Sequence, residues 1–250
     1  MKEIFRTSMI LLAFSTAFSS CLKTDGGNYT EYQDERVVVN ALPQLNKSSL
    51  LIRDTEFLVP DGALDDNLKV PGTCLLVNFR LEGKDKPSSP NNYWPISQLS
   101  NVRYVNKTAL QRLPSIDVQE DTLAISGVSP YFVSNQKGMM FCSIGSAKIA
   151  SDEKIEYKLT YVPEEGETEQ SIKKVYLTAK SIEKGTQNPS NNYFIHAFDI
   201  NELFAQSIDT IIGNIDYKFI QVDMKYYIGE NEEEEPVWRD MEPMKLRLLK

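Results

Sequence analysis

Apolar residues recur at a spacing of two along most of the chain, the period of a strand with one buried face. Residues 73–81 place Leu75, Val77, Phe79 and Leu81 on one side and Cys74, Asn78 and Arg80 on the other. Residues 155–161 set Ile155, Tyr157, Leu159 and Tyr161 against Glu156 and Lys158, and residues 217–228 carry Ile220, Val222, Met224, Tyr226 and Ile228 in step. Weaker or shorter runs at 36–42, 50–59, 102–105, 123–128, 139–149, 175–179 and 193–200, and Met244, Leu246 and Leu248 at the end, predict further strands. Pro60-Asp61-Gly62 and Pro71-Gly72 mark turns. The one helical signal is Asp199 with Glu202 three positions on, a capping box that predicts one or two turns through Ser207.

The spacing of these elements predicts an all-β chain in two parts. Residues 36–113 hold short strands around a long Lys-, Pro-, Ser- and Asn-rich loop from Gly83 to Trp94, the pattern of a small closed or half-closed OB-type barrel. Leu113-Pro114-Ser115 reads as the boundary, because proline favours an extended residue before it. Residues 116–250 predict two packed antiparallel sheets, a β-sandwich. Strand–helix alternation, the mark of a nucleotide-binding sheet, is not seen.

The first 20 residues do not fit the alternation. Lys2 and Arg6 precede an apolar run over residues 9–18, and Ser19-Ser20 set small residues before Cys21, the order of a secretory signal. The run is about ten residues, short of the roughly 20 a membrane-spanning helix needs. Small residues followed by cysteine resemble a bacterial lipobox, with Phe18 where Leu is usual; Cys21 would then be diacylated and become the first residue. Acyl chains contribute about 0.8 kcal/mol per buried methylene, so several on one cysteine anchor a protein that has no spanning helix. The competing reading is a signal-peptidase cut after Ala17, which leaves Cys21 a free thiol. The polar, glycine-rich start of residues 21–35 reads as a flexible tether.

Composition narrows the partners. The formal net charge of −8 becomes −9 once Lys2, Arg6 and Glu3 are removed, and such a body is a poor match for nucleic acid, which requires clustered Lys and Arg. Cys74 and Cys142 fall in different predicted units and are expected as two separately buried thiols. With one histidine, His196, and no C-x-x-C, a Cys/His metal centre is not expected, nor any cofactor.

Candidate chemistry is sparse, and no catalytic residue is assigned. G-x-S-x-G, H-E-x-x-H and P-loop patterns are lacking. His196, between Phe194 and Phe198 on one strand face, is expected to be a hydrogen-bonded core or boundary residue. The S-x-x-K matches at Ser134 to Lys137 and Ser181 to Lys184 have no partner motifs. Asp61, Asp65, Asp66 and Asn67 lack the ordered spacing of a calcium loop, and Glu230 with Glu232, Glu233, Glu234 and Glu235 reads as a solvated connection. Tyr93, Trp94 and Trp238 could present flat rings to a sugar or a protein, although strands also bury alternate aromatics.

The run Val70-Pro71-Gly72-Thr73-Cys74-Leu75-Leu76-Val77-Asn78-Phe79, with Leu99-Ser100-Asn101-Val102-Arg103-Tyr104-Val105 beyond it and Glu56-Phe57-Leu58-Val59-Pro60 before it, resembles the NigD-like lipoproteins of Bacteroidetes. Thr73-Cys74 departs from the polar and basic pair usual there. The resemblance covers about residues 1–110 and implies a lipoprotein signal, an N-terminal OB barrel and a C-terminal β-sandwich. It implies no enzymatic activity, and through the family's association with bacteriocin genes it raises immunity as a role. In Bacteroidetes lipoproteins a lysine and paired acids after the cysteine mark surface export; Lys23 with Asp25 alone suits either side of the outer membrane. The chain thus reads as a non-enzymatic envelope lipoprotein tethered through Cys21, a binding or accessory module with a protein or glycan partner. Bacteriocin immunity and a carboxylate-dependent hydrolase are the rival readings.

Overall fold

The computed structural model describes residues 29–42, 47–53, 56–60, 66, 69–82, 93–96, 98–133, 138–213 and 215–249. The expected signal, Cys21, most of the acidic 61–67 segment, the loop before Tyr93 and Ser134 to Lys137 lie outside them.

The chain is all-β. Its first sheet runs in the order β5(Tyr93–Ile96)-β3(Glu56–Pro60)-β2(Lys47–Arg53)-β1(Tyr29–Leu42)-β4(Cys74–Glu82)-β6(Gln98–Tyr104). β5 and β6 follow one another with only residue 97 between them, yet stand at opposite edges of this sheet. The sheet must therefore curl until its edges approach. No ladder joins β5 to β6 among the described residues, so the result is an open OB-like curl and not a closed barrel. Leu75, Val77 and Phe79 of β4 fill the inside of the curl with Val37, Val39, Leu50, Leu58 and Ile96, as the period-two pattern predicts. Residues 50–59 are not one strand, since β2 and β3 pair antiparallel as a hairpin. Pro71-Gly72 does form a turn: Thr73 N–H donates to Val70 O at 3.1 Å, and Gly72 has φ 86°, the left-handed position a type II turn needs.

Two further sheets complete the chain. One runs β7(Lys107–Ala109)-β13(Ser190–Asp199)-β10(Met139–Ile149)-β9(Ile125–Val133). The other runs β14(Ile208–Ile212)-β15(Ile215–Glu230)-β12(Lys173–Glu183)-β11(Lys154–Tyr161)-β8(Gln111–Arg112), with β16(Pro236–Asp240) and β17(Met244–Leu249) also on β15. They pack face to face over one core, in which Met140, Cys142, Ile144 and Phe198 meet Leu159, Leu177, Val222 and Met224. These sheets are mixed, whereas the sequence predicts antiparallel ones. β12 passes to β13 in the other sheet, and the chain returns to lie parallel to β12 as β15. β7 and β8 pair in parallel with β13 and β11.

Three expected boundaries shift. β1 starts at Tyr29, inside the segment read as tether, because Tyr32 stacks on Phe79 at 4.5 Å and the ladder to β4 runs back to Tyr29. Pairing changes from the first sheet to the others between Tyr104 and Lys107, ahead of Pro114, and Leu113 N–H is already bonded to Tyr161 O. The predicted helix is a 3-10 helix over Asn201–Gln206 with no side-chain cap; Asp199 Oδ1 instead accepts from the N–H of Asn201 at 3.1 Å and from its amide at 2.7 Å.

The outer face of the curled sheet is split in two. At one end Val38, Leu51, Cys74 and Leu76 pack on Met139, Phe141 and Ala197 of the second sheet, forming a separate apolar core. Full burial of such side chains contributes about 1.5–3 kcal/mol each, enough to fix the curl on the sandwich. Val37, Val38 and Val39 are buried in succession because this strand is covered on both faces. At the other end of β4, Asn78 and Arg80 stay open.

Candidate functional site

That open end is a cleft of about 130 Å³ lined by Glu31, Tyr32, Gln33, Asn78, Phe79, Arg80 and Ser100. A β-bulge makes it. Tyr32 pairs with Phe79 and Glu35 with Val77, so Gln33 and Asp34 together stand opposite the single residue Asn78, one more than the ladder holds. Asp34 has φ 52°, and its N–H donates to Asn78 Oδ1 at 2.8 Å. Its carboxylate pairs with Arg103 of β6, so the bulge is held from β4 and from the strand beyond it. Tyr32 and Phe79 contribute backbone here, because their rings stack at 4.5 Å on the opposite, inner face of the sheet.

The polar walls come from three strands. Glu31 stands opposite Arg80, and Asn78 opposite Ser100. Arg80 does not pair with Glu31. Its guanidinium lies over the ring of Tyr29, and its Nε is buried with no acceptor. Asn78 commits its carbonyl oxygen to the bulge, which leaves its amide N–H groups as donors. The sequence shows Asn78 and Arg80 on the outward side of β4; it carries no sign that β1 bulges opposite them.

The aromatic candidates do not form one platform. Trp94 sits in β5, half-buried against the core of the curl, with Tyr93 beside it in the same strand. Trp238 is in β16 on the last sheet, edge-on to Tyr176 at 5.0 Å and to Tyr227 at 5.9 Å. Burial and then the nearby Glu230 carboxylate raise the Tyr227 hydroxyl above its usual range.

The groups best suited to covalent or acid–base chemistry are interior. His196 is 5% exposed, with Nε2 3.1 Å from Thr108 Oγ1 and its ring against Tyr157 and Phe198. Burial pushes its pKa down to about 4, so the ring is neutral at pH 7. Cys74 and Cys142 are free, buried thiols, as expected; burial raises them to about 11 and about 12. Ser181 donates to Glu153, and Lys184 Nζ lies 3.1 Å from the same carboxylate, so the lysine is engaged there and not on the serine. In the acidic turn, Asn231 Oδ1 accepts from the N–H groups of Glu233 at 3.0 Å and Glu235 at 2.8 Å. Asp66 is exposed and paired with Lys69. Among the described residues no His/Cys/Asp/Glu group could hold a metal ion.

One buried charged group has no counterpart in the sequence reading. Lys173, 1% exposed, bonds Glu167 at 2.5 Å and Thr168 O at 3.0 Å. Glu167, 5% exposed, also accepts from the Tyr161 hydroxyl and from Glu164 N–H at 3.1 Å. Burial pushes the Glu167 carboxyl up, but the Lys173 and Tyr161 donors outweigh it and the net shift is downward. This triad closes the connection between β11 and β12.

No family model and no curated protein matches the sequence. Solved structures share the fold. An uncharacterised protein from Parabacteroides merdae is 15% identical with TM-score 0.66, covering 85% of this chain and 97% of its own. A "Putative lipoprotein" from Bacteroides fragilis is 11% identical with TM-score 0.54, covering 87% and 96%. A NigD-like immunity protein from Bacteroides caccae is also similar, 15% identical over 82% and 90% with TM-score 0.46. The first two share this chain's class of fold, a curled OB-like sheet with a β-sandwich, over most of its length. This is the all-β architecture that the resemblance to NigD-like lipoproteins implied.

Proposed function

We propose that the protein is an envelope lipoprotein anchored to the outer membrane through acylated Cys21, and that its β body is a binding or accessory module with no reaction of its own. One observation carries the second half. The single histidine and both described thiols are sealed in cores, with pKa values moved away from neutrality, while a polar cleft lies open beside the β1 bulge. The first half rests on the N-terminal pattern, and the fold's occurrence in a protein described as a lipoprotein supports it. Only Leu22 to Asn28 separate Cys21 from the first strand. At roughly 3.3–3.6 Å per residue, that tether reaches no more than about 25 Å, so the curled sheet stands close to the bilayer.

The test is metabolic labelling with an alkyne fatty acid, followed by fractionation and mass spectrometry of the mature N-terminus. Wild type is expected in the membrane fraction, labelled, with Cys21 first. Cys21→Ala is expected to lose both label and membrane association. An unmodified N-terminus at Phe18 refutes the anchor.

A further inference from the structure

We infer that the outer edge of β14 pairs with β14 of a second copy of this chain, joining two seven-stranded sheets across a two-fold axis. β15 carries β14 and then β12 along one side, with β17 and β16 along the other. β14 therefore ends the sheet order, with no ladder on its outer side among the described residues. Open edges invite pairing, and folded proteins blunt them with proline, charge, a bulge or shortness. The other edges here are blunted. β5 carries Pro95 and β9 carries Pro130, β6 is interrupted by Asn101 at φ 48°, and β7 and β8 are three and two residues long. β16 opens on Pro236, and β17 carries Lys245 and Arg247. β14 has no proline, lysine or arginine, its ladder to β15 runs without a bulge, and Ile211 and Ile212 are 69% and 45% exposed.

The strand complements itself, and this selects a second copy as the occupant. Ile212 and Ile215 close a two-residue connection and so bond each other; bonded pairs alternate along the ladder, and Ile211 turns its N–H and C=O away from β15. When two antiparallel β14 strands centre on Ile211, each Ile211 N–H donates to the carbonyl of the other. That register sets Ile211 against Ile211 and Thr210 against Ile212 on either side, so both exposed isoleucines gain cross-strand partners. Asp209 then faces the uncharged Gly213. Centring on Asp209 would oppose two carboxylates in a chain of net charge −8, and centring on Thr210 would set a carboxylate against each Ile211. The pairing uses the same edge of both copies, so assembly stops at a dimer. A five-residue strand makes a small contact, which puts the dimer in the weak, transient class.

The experiment uses the full mature chain with Cys21→Ala, which leaves the buried Cys74 and Cys142 as its only thiols. Sedimentation equilibrium at concentrations up to about 1 mM, the range of weak complexes, is expected to show monomer in exchange with dimer. Ile211→Lys is expected to raise the dissociation constant roughly tenfold or more, because it sets two ammonium groups opposite each other. Ile211→Cys is expected to form an interchain disulfide under mild oxidation, since bonded antiparallel pairs hold their Cα atoms about 5.5 Å apart, within disulfide reach. Asp209→Cys, displaced from its own counterpart in this register, is expected not to crosslink. A monomer at every concentration overturns the inference, as does a dimer unchanged in Ile211→Lys or crosslinking of Asp209→Cys as fast as that of Ile211→Cys. In cells, Ile211→Cys joined to a different envelope protein, with no homodimer, gives the edge to another partner and overturns it too. The solution readings are made without the lipid, so a failed anchor and a failed edge remain distinguishable.

Discussion

Lys173→Met offers the sharpest test of how the sandwich is held. The substitution keeps most of the side-chain volume and removes the ammonium. Glu167 is then left as a buried carboxylate whose remaining donors are the Tyr161 hydroxyl and Glu164 N–H. Removing one member of a buried pair typically costs about 3–5 kcal/mol, because the surviving charge stays desolvated. The two remaining donors place the expected loss near the lower end, about 3 kcal/mol, which is a large share of a marginal stability. Glu167→Gln alone is expected to cost less, since Lys173 keeps the Thr168 carbonyl. In the double variant Lys173→Met/Glu167→Gln neither charge remains, and the loss should be well below the sum of the two singles. Urea unfolding of all four proteins measures this. A pH series adds a sign. The folded Glu167 carboxyl lies below its ordinary value of 4.5, so its contribution is present above that pH and is lost as the pH falls through the folded value. The gap between wild type and Glu167→Gln should therefore close in acid. A Lys173→Met loss under about 1 kcal/mol, or additive singles, would show that the pair is solvated and the reasoning wrong.

Further expectations follow from the interior groups. His196 has a folded pKa of about 4 against 6.5 unfolded, so its stabilisation is complete above 6.5 and falls by about 3 kcal/mol as the pH drops toward 4; His196→Gln should flatten that part of a stability–pH curve in thermal melts. Asp152 accepts from Thr186 and Gln187 backbone N–H groups and the Thr186 hydroxyl, which hold its carboxyl down to about 2, so Asp152→Asn should lower the melting temperature at pH 7 and matter less in strong acid. Phe141→Ala, at the junction of curl and sandwich, should cost about 3–5 kcal/mol in urea unfolding. A thiol reagent should label neither Cys74 nor Cys142 in the native protein and both after denaturation; rapid native labelling of Cys74 would mean that the junction opens.

Strand positions were legible where one face alone is buried. In β11 and β15 the charged partners Glu156, Lys158, Asp223 and Lys225 stay partly exposed and the period-two pattern shows, down to Ile155 and Ile228 at the margins of the core, with Thr160 and Tyr227 as the buried exceptions. The pattern fails where a strand is covered twice. Val37, Val38 and Val39 read as a generic apolar run, yet alternate members serve two different cores. The start of β1 falls inside the segment read as tether from its polar, glycine-rich beginning, because the cross-strand partners that make it a strand lie outside any local window. β7 and β8 were missed for a related reason: a three- and a two-residue strand have no period to read, and only their parallel partners make them strands.

The site follows the same physics one step further. Local alternation tells which way Asn78 and Arg80 point, but not what stands over them. Two residues earlier on the same face, Leu76 is sealed beneath the sandwich, and along that strand no change of period marks where the cover ends. What ends it is the bulge at Gln33-Asp34, one residue more than β4 offers opposite, which bends β1 and leaves the rest of the face to water. The junction and the cleft are thus two halves of one surface, divided by a bulge that Asn78 and Arg103 hold in place. A change such as Asn78→Ala removes the acceptor for Asp34 N–H, and its effect on the cleft should exceed its effect on the junction, where no bond to Asn78 is made.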